Sequence, residues 1–135
     1  MNIIRAALKG LHSPDVYDLE AYKPENENCF GFLLRAMFGP EDADGEESFD
    51  MIVCTPEWLG QEVKKGGVVN GRHHLIVDEF DINKVRSFLV DYGHQCKGKT
   101  WKEVGEKLSR IVYWEFEDYQ PYEGSHSKVW RISEA

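Results

Sequence analysis

Few residue types in this chain can do chemistry, and most of their spacings lead away from catalysis. Histidine occurs at His12, His73, His74, His94 and His126. Adjacent residues on a strand point to opposite faces, so His73 and His74 do not chelate one ion from there. No His-Glu-x-x-His stretch and no cysteine pair in metal-ligand spacing is present. Cys29, Cys54 and Cys96 each fall in an apolar or helical context, and none lies on a Gly-x-Cys-x-Gly or Gly-x-Ser-x-Gly elbow. An odd number of unpaired cysteines reads as free buried thiols and a reducing compartment. Gly66-Gly67 lacks the flanking pattern of a phosphate loop. One enzymatic option survives, the carboxylates Glu115 and Glu117. Two apart on a strand they share a face, about 7 Å from each other. That distance suits two-carboxylate hydrolysis, and alternating charge on the wet face of an ordinary strand looks the same. The expectation is no cofactor, no metal and no enzyme.

What the chain does display is negative charge. Glu41, Asp42, Asp44, Glu46 and Glu47 cluster among the turn residues Gly39, Pro40 and Gly45. The net charge is −8 over 135 residues. Residues 1–60 hold four Lys/Arg and twelve Asp/Glu, whereas residues 61–135 hold twelve of each, so all the excess comes from the first part. Ile82–Arg110 reverses the trend with seven basic and three acidic residues. Such asymmetry points to an electrostatic partner surface. Nucleic acid is excluded as that partner because phosphates would be repelled. A structural or adaptor domain that binds another cytosolic protein, its acidic face simply solvated, accounts for the same charge. A second surface competes with the cluster: Tyr113, Glu115, Glu117 and Asp118, extended by Tyr119 and Tyr122. It mixes aromatics with carboxylates, the composition enriched at binding hot spots.

These residues need elements to hold them. In Cys29–Phe38, Phe30, Phe32, Leu34, Ala36 and Phe38 recur with a period of two, and in Ser48–Cys54 so do Phe49, Met51 and Val53. The pair predicts a long hairpin with the acidic cluster at its tip. Thr55-Pro56 then starts a helix that Gly66-Gly67 ends. Ahead of the hairpin, Ile3–Leu11 is a first strand, and His12–Asn28 is a long irregular crossing pinned by Val16, Tyr17, Leu19 and Tyr22. A loop of that length is often functional. After the helix, Arg72–Phe80 reads as a strand with two partly apolar faces, hence an interior one. Asp81 caps a helix whose stripe is Ile82, Val85, Leu89, Tyr92 and Cys96, ending at Gly98. Thr100 caps another, with Glu103 at the capping-box position and Trp101, Val104, Leu108 and Ile111 as its stripe. Val112–Glu117 is a late strand with Val112, Trp114 and Phe116 inward.

The predicted architecture is α+β: a single domain with a mainly antiparallel sheet of about five strands and two to three helices on one face. Its expected extent is 1–120, with 121–135 a C-terminal tail or a short edge strand at Lys128–Ile132. With 41% hydrophobic residues the chain can bury a core. It has no apolar run long enough for a membrane span and no signal-peptide pattern at Met1–Arg5, so a cytoplasmic protein that binds no membrane is expected. Oligomeric state is open.

The order of several blocks then suggests a family. They are Leu11-His12-Ser13-Pro14-Asp15-Val16-Tyr17-Asp18-Leu19-Glu20, Phe30–Pro40, Glu46–Leu59 with its Thr55-Pro56-Glu57-Trp58 turn, Gly71-Arg72-His73-His74-Leu75-Ile76-Val77, and Trp114-Glu115-Phe116-Glu117-Asp118-Tyr119. Together, over roughly residues 3–119, they resemble the immunity protein 8 family of bacterial polymorphic toxin systems. The resemblance implies an antidote that binds and neutralises a cognate toxin domain. Toxins of such systems are often nucleases, whose substrate clefts are basic, and an acidic inhibitor fits such a cleft. The family pattern carries no residue-level binding site. The block least matched is the tip, Glu41–Gly45.

Overall fold

The computed structural model describes residues 3–114 and 116. The two alternating runs form β2 (Gly31–Pro40) and β3 (Glu47–Cys54), paired antiparallel from Gly31↔Cys54 to Phe38↔Glu47. The first strand, β1 (Ile4–His12), pairs antiparallel with β2, with an irregularity between Leu8 and Gly10. Every second residue of β2 from Phe32 to Phe38 is buried, as are Phe49, Met51 and Val53 of β3. The hydrophobic face thus settles the register, because a one-residue slip would turn it to water.

Two helices cover that face. Asp81 caps α2 (Ile82–Gln95), its carboxylate accepting the N–H groups of Asn83 and Lys84, and Ile82, Val85 and Leu89 are buried. Thr100 caps α3 (Trp101–Leu108), which buries Val104 and Leu108. The remaining helix, α1 (Pro56–Gly66), lies elsewhere. Thr55 Oγ1 accepts the Trp58 N–H at 3.3 Å and the Phe30 N–H at 3.2 Å, and Gly67 ends the helix at φ 82°. Trp58 packs on Gly31, where a Cβ would stand 2.3 Å from the indole. Gly31 alternates with the buried Phe30 and Phe32, so α1 caps one end of the opposite sheet face.

Three short strands complete a six-stranded sheet. Lys97–Gly98 (β5) pairs with Ile4 and Arg5. His74–Ile76 (β4) runs parallel to Ile52–Cys54, and Tyr113–Trp114 (β6) runs antiparallel to Phe49–Asp50. Because β2 takes one edge of β3, β4 and β6 share its other edge end to end. The α+β class, the single domain and the mainly antiparallel sheet are therefore as expected.

Several details differ from expectation. The strand expected over Arg72–Phe80 is three residues long and sits at the sheet edge. At its start His73 takes φ 66°, and both Arg72 Nη2 (2.8 Å) and His73 Nε2 (3.1 Å) meet the Ser109 carbonyl at the end of α3. These groups hold a helix C-terminus, where positive charge is favourable, instead of extending a strand. Helix α2 stops at Gln95 rather than at Gly98. Cys96 turns to an extended conformation, and its carbonyl accepts the Ala6 N–H at 3.1 Å, which seeds β5. In the crossing loop Val16 and Leu19 are buried, and Tyr22 meets Phe32 and Phe80 edge-on at 5.4 and 5.1 Å. Tyr17, expected to pin the loop, points wholly into solvent at 105% exposure. The tail 121–135 with Lys128–Ile132 lies outside the described residues. Among the described residues no helix is long and apolar enough to cross a membrane.

Candidate partner-binding site

The hairpin tip is a braced structure, and much of its charge is engaged. Lys9 Nζ donates to the carbonyls of Ala43 at 2.6 Å and Gly45 at 3.1 Å, tying the turn across β1. A Cβ on Gly39 would lie 2.0 Å from the Gly45 oxygen, so the turn folds closely back on β2. The Glu41 carboxylate lies 3.1 Å from His94 Nε2 and 3.9 Å from Arg5 Nε. Arg5 also donates to the His94 carbonyl at the end of α2. Glu47 is half-buried, and its Oε1 accepts the indole N–H of Trp101 at 2.8 Å and of Trp114 at 3.0 Å. One carboxylate thus joins β3, α3 and β6. Of the five tip carboxylates, Asp42, Asp44 and Glu46 are exposed and make no ion pair among the described residues.

Of the competing late-strand surface, Tyr113 is the one described member. Tyr113 is 50% exposed and stands opposite Asp50, with its ring 5.8 Å from that of His73. Glu115, Glu117 and Asp118 lie outside the described residues, as do Tyr119 and Tyr122. The register lines His12, Arg35, Asp50 and Tyr113 in one row across β1, β2, β3 and β6. In that row Arg35 Nε and Nη2 donate to the two oxygens of Asp50 at 2.8 and 3.0 Å, a bidentate pair that compensates its own charge.

The larger number of carboxylates stands at the other end of the sheet. There the crossing loop contributes Asp15, Asp18, Glu20, Glu25 and Glu27, the first turn of α1 contributes Glu57, and the segment entering α2 contributes Asp78, Glu79 and Asp81. Nine carboxylates meet three cations, Lys23, Lys84 and Arg86. Arg86 is held by Glu20, and Lys84 lies 3.9 Å from Glu79. The N-termini of α1 and α2 both open at this end, where their partial positive charge favours carboxylates. The loop is fixed by its own hydrogen bonds. Ser13 Oγ donates to the Leu33 carbonyl at 2.5 Å, Asp15 Oδ2 accepts the Leu33 N–H at 2.9 Å, and Asp18 Oδ1 accepts the N–H groups of Glu20 and Ala21. Sequence reasoning placed Asp15 and Asp18 only as extensions of the tip or the late strand and missed the rest of this surface, because three separate segments build it. The available signal was strand direction: the end of β1, the start of β2 and the end of β3 must lie together once the strands pair antiparallel.

Neither buried thiol resembles an activated nucleophile. Burial pushes the Cys54 thiol up to about 11, and burial likewise raises Cys96 despite the Tyr92 hydroxyl beside it. Both thiols are therefore neutral and unreactive near pH 7. The described histidines are apart: His94 is on Glu41, His73 on Ser109, His74 on the carbonyls of Gly71 and Arg72, and His12 on the exposed side of β1. Among the described residues no group of three or more His, Cys, Asp or Glu side chains is placed to hold a metal ion.

Comparison with known proteins gives one family. The model described as Immunity protein 8 matches residues 6–119. Neither a curated protein nor a solved structure matches the chain.

Proposed function

The chain belongs to the immunity protein 8 family, and from that premise we propose that it neutralises a cognate bacterial nuclease toxin by placing an acidic surface in the toxin's basic substrate cleft. It acts by binding, in the cytoplasm, without a cofactor and without catalysis of its own. The observation that carries the reading is the segregation of charge. At the loop end of the sheet nine carboxylates face three cations, two of which are already paired. Carboxylates held on a rigid frame substitute for substrate phosphates, and complementary charge speeds capture and fixes orientation. Side chains ordered in advance lose less entropy on binding.

A second placement rests on its own observation. Asp42, Asp44 and Glu46 are exposed on a braced turn and make no ion pair among the described residues. There the contact would be formed by the tip with Tyr113, Glu115, Glu117 and Asp118, while Glu41 and Glu47 serve the scaffold.

The test uses the purified chain and the toxin domain encoded beside its gene. Association rate is measured against ionic strength, together with residual toxin activity. The expected result is inhibition at equimolar protein and an association rate that falls steeply with added salt. Absence of binding sinks the reading. Reversal of Glu25 and Glu27 to lysine is expected to slow association more than reversal of Asp44 and Glu46. The opposite order moves the contact to the tip.

A further inference from the structure

Tyr17 is the most exposed large hydrophobic side chain among the described residues, at 105% exposure, yet it sits on a loop anchored by side-chain hydrogen bonds. Its neighbours Val16 and Leu19 are buried at 7% and 8%. An aromatic ring on a fixed backbone, burying nothing of its own, has no role in the fold. Beside it runs a groove of about 440 Å³ whose wall includes Leu11, Tyr17, Asp18 and Glu20. Asp18 uses Oδ1 to hold the loop amides, while Oδ2 has no donor among the described residues. Glu20, also on the wall, pairs with Arg86 on α2.

From this geometry we infer that Tyr17 and the adjoining groove are the centre of the toxin contact, and that the groove takes an arginine side chain of the toxin's basic surface. The inference rests on the immunity reading and names the residue-level contact within it. An arginine fits for three separate reasons. Its planar guanidinium stacks on a tyrosine face, which a lysine ammonium does less well. Its hydrogen-bond fork meets the unoccupied Asp18 oxygen. Its aliphatic stem lies along Leu11, as such stems do on apolar surface. The surrounding carboxylates raise the local concentration of cationic partners, and the ring provides the desolvated anchor that charge alone lacks.

The experiment is calorimetric titration of the toxin domain encoded beside the gene into wild-type protein and into Tyr17→Ala, Tyr17→Phe and Asp18→Asn. Melting temperatures of all four are measured in parallel. Because Tyr17 buries nothing, both Tyr17 variants melt with wild type, while Asp18→Asn, which keeps the oxygen that holds the loop amides but gives up its charge, melts only a few degrees lower. Tyr17→Ala weakens binding about ten- to a hundredfold with its salt dependence unchanged, as expected for an aromatic anchor. Tyr17→Phe stays within about twofold of wild type, since the ring face and not the hydroxyl makes the contact. Asp18→Asn weakens binding and flattens the salt dependence. Unaltered affinity of Tyr17→Ala beside normal wild-type binding overturns the anchor and leaves the immunity reading standing. Failure of the wild-type protein to bind overturns both.

Discussion

Glu47 is where the cost of removing one atom group can be worked out. Its Oε1 receives two indole N–H donors, from Trp101 at 2.8 Å and Trp114 at 3.0 Å, and Trp114 is only 4% exposed. A hydrogen bond to a charged acceptor contributes about 1.5–3 kcal/mol, and a buried donor left without a partner costs about 1–3 kcal/mol. Glu47→Ala removes the shared acceptor, and water reaches Trp101 more easily than Trp114. The expected loss is therefore about 3–4 kcal/mol. For a domain of this size that is a fall in melting temperature of roughly 10 °C. Glu47→Gln keeps an oxygen in place and gives up only the charge, so about 1 kcal/mol is expected. Urea unfolding followed by tryptophan fluorescence reads both variants, since two of the fluorophores are the donors. A loss below about 1 kcal/mol for Glu47→Ala would refute the shared-acceptor argument. So would equal losses for the two variants, because then charge and not acceptance would be the cause. Glu47→Gln is also expected to bind toxin as wild type does. Weakened binding by a stably folded Glu47→Gln would return Glu47 to the contact surface.

Three further outcomes follow from burial and close packing. With iodoacetamide near pH 8, half-buried Cys29 reacts in the native protein while Cys54 and Cys96 react only on unfolding; native labelling of Cys54 at the rate of Cys29 would contradict its burial. The same thiol fixes a pH trend. Burial raises Cys54 from an ordinary 9.0 to about 11, so the folded state favours the neutral form; that stability is complete below pH 9 and is lost as pH rises through 11, to be read as a falling melting temperature. Gly39→Ala places a methyl group 2.0 Å from the Gly45 oxygen. The turn must open, at about 1–3 kcal/mol, and urea unfolding measures it.

The sequence made the long elements legible because their periodicity and their burial agree. Phe32, Leu34, Ala36 and Phe38 alternate in the chain and are buried in the fold, and Thr55, Asp81 and Thr100 cap the helices that follow them. Short elements were not legible, because partners outside the segment decide them. Arg72-His73 reads as strand until the Ser109 carbonyl claims both side chains, and Lys97-Gly98 reads as helix end until Ile4 and Arg5 pair with it. The acidic tip was legible as composition, but neither the Glu41 contact with His94 nor the double indole contact of Glu47 has a local signal. Tyr17 misled for a related reason. Between buried Val16 and Leu19 it shares their apolar context, and only the backbone path turns it outward.

Nine carboxylates against three cations at one end of the sheet, and five against Arg5 and Lys9 at the other, make the molecule an electric dipole as well as an anion. A net charge only draws a cationic partner closer. A dipole also experiences torque in the partner's field, so the molecule rotates while still separated by a layer of solvent. The loop end, with Tyr17 at its surface, would lead into the encounter before any side chain touches. The orientational search that slows most protein pairs is shortened on that account. A variant that keeps the total of −8 but moves two carboxylates from the loop end to the tip would retain the attraction and lose the alignment.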